Sequence, residues 1–493
     1  MTKSTGTSTR IRVTTRTRTL TPPDMVPLYR ALTERFGTDE VYLLQSSHGN
    51  DRDRRYQFIG FGVVFSLSVT RGVVRIGGTP VLRERAAARL EPLLVRPDGG
   101  PPRLRAPTDL WNVLRAVRTM FDAAGSAGRY RFGFLAAFGY DTVRYIEELP
   151  YHIEEDPDLP DVQLVVHRGC VTVDQHNGTA ELLLHDSEGW ESPDTEEIAR
   201  LIEGAHRTHS GRTPSEVPPA EVSDDLTEEM FGRQVRRCLE HIAVGDIYQV
   251  QIGHQLTMRS TADPVDVYLR LQERNASPYM YLASISGQRL IGASPELFVR
   301  IEDGLVTMRP IAGTLPHREG DASAAALRLR ADPKEVAEHT MLVDLCRNDI
   351  GRICEERTLS VPDQLTVERY SHVLHLVSTV AGRAEAGKDS FDTVAATFPA
   401  GTMTGAPRIR AMEVIESIER TRRGMYAGAL GLIDIGGYTN LALCIRTLFH
   451  RDGVFRARAS AGVVADSDPA HEWRETLAKL SAVHWAVTGK ELL

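Results

Sequence analysis

The stretch 427–449, AGALGLIDIGGYTNLALCIRTLF, decides the fold class. It contains two strand-like runs, Ala427–Asp434 and Leu441–Phe449, and shorter runs of the same kind lie at Leu290–Gly292 and Leu297–Ile301. The long runs alternate in face, as half-buried strands do, and helical patterns stand between them at Lys334–Cys346, Ser390–Ala396, Ala406–Ser417 and Pro469–Thr488. Alternating faces predict antiparallel sheets with helices packed outside rather than a parallel dinucleotide-binding core. No GxGxxG or Walker A string, internal repeat or heptad argues otherwise.

Upstream, Val41 to about Leu184 reads as strands broken by Gly and Asp turns, Val63–Val69 and Val73–Ile76 among them, with helices at about Leu110–Ala124 and Thr142–Glu148. The polar, three-proline stretch THSGRTPSEVPPAEVSDD (208–225) reads as a linker, its last residues capping a helix that runs to about Val244. The expected organisation is an N-terminal lobe (1–207), a linker (208–224) and a second lobe (225–490). The first 22 residues lack acids and are rich in Arg and Thr; Ile11–Arg18 fits an edge strand better than a targeting peptide.

The chain has 493 residues, 25% of them charged, a net charge of −8 and no 18-residue apolar run. That excludes a membrane span and argues against a nucleic-acid or membrane-surface binder. Five scattered cysteines without CxxC pairing suit a reducing cytoplasm rather than a disulfide framework or zinc site. Of 58 basic residues only five are lysines, so a lysine inside a structured segment marks a place where a compact ammonium is needed.

Two of those lysines, Lys334 and Lys479, stand in acidic helical segments. Glu335 and Glu338 lie three apart on one helix face, as do Glu472 and Glu475, with Lys479 four residues beyond. Two such faces opposed would hold a hard dication such as Mg²⁺, completed by water and an anionic substrate; the alternative is two solvated helix surfaces. His375 sits in an apolar run following Glu368-Arg369-Tyr370-Ser371-His372, where a structural role competes with a catalytic one. In Pro399-Ala400-Gly401-Thr402-Met403-Thr404-Gly405-Ala406-Pro407, hydroxyls and backbone N–H groups precede a helix, which suits either an anion cradle or a capping turn. Tyr426, Arg446 and Ala461-Gly462 end strand-like runs, where an arginine can fork a carboxylate or pair on the surface.

The strings RPIAGT, DPKEVAEHTMLVDLCRND, ERYSHVLHLVS, PAGTMTGAPRIRAM, RRGMYAGALG and SAGVVADSDPAHEWRETLAKL resemble, in order, the chorismate-utilising synthases, and most closely the large subunit of anthranilate synthase and its relatives. The resemblance implies an α+β fold of two large packed antiparallel sheets, helices outside and the active site between. It implies Mg²⁺ ligands at Glu338 and Glu475, with Glu335 and Glu472 beside them. Thr402, Tyr426, Arg446, Gly462 and Lys479 match positions that hold the carboxylates and enolpyruvyl arm of chorismate, Glu296 matches the acid that protonates the departing 4-hydroxyl, and His375 matches the histidine near the ring.

Two departures sort the reaction. Relatives that add water carry a lysine base where Gln249 stands, and a neutral amide cannot deprotonate water. Para-aminating relatives carry a nucleophilic lysine where Ala312 stands. Both favour amination at C2 by ammonia. With no amidotransferase domain after the last motif, a separate glutamine amidotransferase subunit is implied. The feedback loop usually reads LLES; here it is Leu43-Leu44-Gln45-Ser46, opposite a turn matched by Pro278-Tyr279-Met280, so tryptophan control is expected to be relaxed. The expected product is 2-amino-2-deoxyisochorismate (ADIC), for secondary metabolism of the antibiotic kind. The alternatives are anthranilate synthase component I, which goes on to anthranilate and pyruvate, and a catalytically silent, amidotransferase-binding subunit.

Overall fold

The computed structural model describes residues 10–47, 53–154, 159–207, 216–316, 322–369 and 373–493. Residues 1–9, residues 208–215 of the expected linker and Tyr370–His372 lie outside them. The strands form one hydrogen-bonded network, antiparallel throughout except where Ile11–Val13 run parallel to Phe121–Ala123. Its longest pairing joins Tyr56–Thr70 to Val162–Asp174; another joins Gln249–Ser260 to Val454–Val463. The α+β antiparallel class expected from face alternation is the one observed.

The network crosses between the two expected lobes. The strand Val41–Gln45 pairs with Tyr279–Ile285, and Gly133–Phe138 pairs with Ala429–Asp434. One apolar core follows the same path, joining Phe65, Phe134 and Phe138 to Phe298, Phe391 and Leu432. A second core packs the helices Met25–Phe36, Pro264–Arg274 and Pro469–Thr488 on the sheet through Leu28, Tyr268 and Leu480. Among the described residues no helix is long and apolar enough to cross a membrane.

Several sequence expectations are corrected. Leu441–Phe449 is two strands, Thr439–Leu443 and Thr447–Arg451, interrupted where Arg446 takes φ of +50°. Ile11–Leu20 is the expected edge strand over most of its length: Val13–Leu20 pair with Ala180–Ser187, and only Ile11–Val13 reach Phe121–Ala123, in parallel. The helix expected at 110–124 stops at Arg118 because the next residues enter that parallel pair, and the one expected at 142–148 is a 3₁₀ turn over Tyr140–Tyr145. Within the expected linker, Ala220–Asp224 pairs with Leu256–Ser260, and the following helix, Glu228–Ala243, is capped by Thr227 instead.

One buried carboxylate staples the two halves. Asp434, fully buried, accepts hydrogen bonds from the backbone N–H groups of Ser126 (2.7 Å), Arg131 (2.7 Å), Phe132 (2.9 Å) and Gly436 (2.6 Å). An amide in its place offers one acceptor oxygen and turns two donors toward N–H groups. Asp434→Asn is therefore expected to cost about 3 kcal/mol of stability, read as a lower denaturant midpoint at unchanged slope.

Candidate active site

The two acidic helices do face one another. Asp332 caps the first, Pro333–Gly351, accepting from the N–H groups of Lys334 and Glu335; Asp468 caps the second, Pro469–Thr488, accepting from that of His471. These caps fix the first turns, which carry Glu335 on one helix and Glu472 on the other, with Glu338 and Glu475 one turn further on the same faces. The carboxylates sense each other across the gap. Burial, followed by the charges of Glu335, Glu475 and Glu472, pushes Glu338 up to about 7, with Lys334 opposing. Glu335 and Glu472 are also raised, chiefly by burial. Glu475 is instead lowered despite its burial, because Lys479 Nζ lies 2.6 Å from its Oε1.

No three of these carboxylates bring their oxygens within 4.8 Å of one another; among the described residues only Asp224, Asp225 and His254 do so. That trio spends its ligand atoms on the fold. Asp224 accepts from Leu226 N–H and His254, Asp225 accepts from Gln255 N–H and Thr421, and the other His254 nitrogen meets Thr476. The four glutamates, by contrast, are mutually repelling and only partly neutralised, a donor set that fits a hard dication retaining several waters.

From Lys479 the site continues inward. Its ammonium donates to the carbonyl of Ser460 (2.8 Å), and Arg446 donates to the backbone carbonyl of Lys479 (2.9 Å). The Ser460 hydroxyl meets Tyr426 OH, so Lys479, Arg446 and Tyr426 line one wall. Two residues on, Gly462 is required by close approach: a Cβ there would lie 2.8 Å from the amide nitrogens of both Gln249 and Gln251. Gln249 is buried, and its Oε1 has no hydrogen-bond partner among the described residues.

Glu296 sits between the strands Gln288–Ser294 and Leu297–Glu302, 7% exposed, accepting a hydrogen bond of 2.9 Å from Thr402 Oγ1. Burial pushes its carboxyl up to about 8, against the opposing effects of Thr402 and the Lys479 charge. His375 Nδ1 donates to the carbonyl of Gly313 (3.1 Å), and burial lowers the ring to about 4, so it is neutral at pH 7. Gly313, at φ +66°, lies against Glu335, whose oxygen would be 2.9 Å from a Cβ there; this ties His375 to the acidic helices.

The expected regulatory residues also meet. Gln45 pairs with Met280 and accepts from Tyr268 OH (2.6 Å); Ser46 Oγ lies 2.7 Å from the Pro278 carbonyl; Tyr279 OH donates to Asp53 (2.9 Å). Sequence reasoning gave no role to Arg423 or Glu419, although an acid and an arginine four residues apart were the visible signal.

A family model described as chorismate binding enzyme matches residues 99–484. The chain is 64% identical over 490 residues, 98% of each chain, to 2-amino-4-deoxychorismate synthase of Streptomyces globisporus. It is 42% identical over 375 residues, 73% of each chain, to anthranilate synthase component 1 of Streptomyces coelicolor. The crystal structure of anthranilate synthase component I from Streptococcus pneumoniae superposes with a TM-score of 0.68 at 28% identity, covering 87% of this chain and 92% of that one.

The Glu296 environment has a consequence for stability. A carboxyl near 4.5 in the unfolded chain and about 8 in the fold makes folding progressively less favourable as pH rises between those values. Glu296→Gln is neutral at every pH and keeps an acceptor for Thr402. It is expected to be more stable than the unmodified protein at pH 8, by at most about 5 kcal/mol, with the gap closing toward pH 4.5. Urea unfolding across that range measures it, and a gap independent of pH would contradict burial as the cause.

Proposed function

Given that the chain belongs to the chorismate binding enzymes, we propose that it aminates chorismate at C2 and releases 2-amino-2-deoxyisochorismate. The observation that carries this reading is the 64% identity, along nearly the whole of both chains, to a 2-amino-4-deoxychorismate synthase. The two names describe one compound: both put an amine on C2, leave C4 without its hydroxyl and keep the enolpyruvyl ether on C3. The likeness to anthranilate synthase component 1 is weaker, at 42%.

The residues divide the work. Arg446, Lys479, Tyr426, Thr402 and the open backbone at Gly462 hold the carboxylates and the enolpyruvyl arm; the guanidinium and ammonium supply the charge. Glu338 and Glu475, with Glu335 and Glu472 beside them, would hold Mg²⁺, which when bound would neutralise the ring carboxylate and draw electron density from the diene. Glu296, protonated at neutral pH because it is buried, gives its proton to the 4-hydroxyl, which leaves as water. Ammonia forms the new bond at C2 as both ring double bonds move along by one position, C1=C2 to C1=C6 and C5=C6 to C4=C5, and the C4–O bond breaks. The amine needs no base to attack, and the neutral Gln249, with its unpartnered acceptor, can take an N–H but cannot deprotonate water. His375, neutral and fixed by Gly313, orients the ring side of the pocket.

Ammonia comes from glutamine through a separate amidotransferase subunit, as the likeness to anthranilate synthase large subunits suggests. The pathway is of the secondary-metabolite kind, in the cytoplasm, in keeping with five buried free thiols. Gln45 in place of a glutamate leaves the turn at Pro278–Met280 a poor partner for an amino-acid ammonium.

Two measurements test the reading. Mass spectrometry of the product formed from chorismate, ammonium salt and Mg²⁺ should find the amino-isochorismate; anthranilate with pyruvate would assign the alternative, and unconsumed chorismate a silent subunit. Glu338→Gln and Glu475→Gln should each weaken calorimetric Mg²⁺ binding and lower kcat/KM at low Mg²⁺ by at least about a hundredfold, with partial recovery at high Mg²⁺. Normal Mg²⁺ binding in both would refute the ligand assignment.

A further inference from the structure

We propose that Arg423, locked by the buried carboxylate Glu419, is a positioning residue of the amination: it fixes the Gly401–Thr404 turn to the start of the strand Gln249–Ser260 and so sets Thr402 against Glu296. This rests on the reading of Glu296 as the proton donor.

Both partners are almost wholly out of water, with side chains 1% and 0% exposed. Arg423 Nε donates to one Glu419 oxygen (3.0 Å) and Nη2 to the other (2.8 Å), the two-point geometry that holds a guanidinium plane in one orientation. The remaining donors reach two separate pieces of the site. Nη1 donates to the carbonyl of Met403 (2.7 Å), the residue after Thr402, and Nη2 to the carbonyl of Gln251 (2.7 Å), two residues from Gln249. The Arg423 carbonyl accepts from the N–H of Tyr426, whose ring lies 5.8 Å from the guanidinium. Glu419 itself accepts from Gly253 N–H (3.1 Å) and pairs with Arg458 (2.9 Å) two residues before Ser460. One buried ion pair thus touches the neighbours of Thr402, Gln249, Tyr426 and Ser460. A lysine cannot replace this fork, since one ammonium cannot span both carboxylate oxygens and both carbonyls.

Thr402 donates to Glu296, which favours its ionised form; the other groups facing Glu296 are Lys479 from the Pro469 helix and Cys346 from the Pro333 helix. A displaced turn withdraws the donor, so Glu296 holds its proton to higher pH. The test is the pH dependence of kcat/KM for chorismate with free ammonia held constant. Thr402→Val should move the alkaline limb, set by Glu296, upward by about half a unit or more. Arg423→Lys should move it the same way while kcat falls about tenfold or more. Glu419→Gln, which keeps the shape but drops the charge, should give a smaller shift of the same sign. Arg144→Lys, at a buried arginine paired with Asp141 and Glu416, should lower thermal stability and leave the limb in place. A limb unmoved by Thr402→Val overturns the proton-donor reading and this inference with it. A limb moved by Thr402→Val but unmoved by Arg423→Lys overturns the positioning role alone. Should Arg423→Lys fail to fold, Glu419→Gln decides by the same criterion.

Discussion

Five carboxylates from three separate parts of the chain, Glu296, Glu335, Glu338, Glu472 and Glu475, are held where water reaches them only in part. Removing a carboxylate from water favours its neutral form, and gathering several adds mutual repulsion. The site resolves this conflict differently at each position. Glu296 stays protonated beside a hydroxyl, Glu475 is neutralised by Lys479, and Glu338 is left raised to about 7 by its neighbours. A folded chain that maintains such a cluster is poised both to give up a proton and to gain from binding a dication.

The rest of the architecture serves to keep these groups in place. Two capped helices begin at the cluster, and the caps satisfy the backbone N–H groups of their first turns. The strand Val454–Val463 brings Ser460 and Gly462 beneath Lys479 and beside Gln249. The sheet is interrupted at Arg446, which leaves the strand geometry at φ +50°, in a conformation that disfavours a side chain, and donates to the second acidic helix.

Under the proposed amination, nucleophile choice turns on what the buried site leaves unpaired. Gln249 sits against Gly462 with an acceptor and no base, so a nucleophile that must first lose a proton finds no help there, whereas ammonia arrives with its lone pair free. The same proposal gives the acid's part to Glu296 rather than to His375, whose burial keeps it neutral.

Much of this was legible in the sequence because it depends on local periodicity. Carboxylates three apart on a helix, a proline and an aspartate at its start, and alternating apolar faces all act over a single turn or strand, and the antiparallel class and both acidic helices follow from them. The amino-acid sequence could not say that Leu441–Phe449 breaks at Arg446, that the strand from Ile11 begins in a parallel pair with Phe121–Ala123, or that residues from both expected lobes share one core, because each depends on hydrogen bonds to strands more than a hundred residues away or across a turn. Nor could it assign a role to Asp434, whose partners are backbone groups that meet only after folding, or show that the Glu419–Arg423 pair, four residues apart, reaches the carbonyls of Met403 and Gln251. Local chemistry chose the groups that react; tertiary burial set their protonation and which of them face each other, since desolvation and charge repulsion are properties of the assembled interior and not of any segment alone.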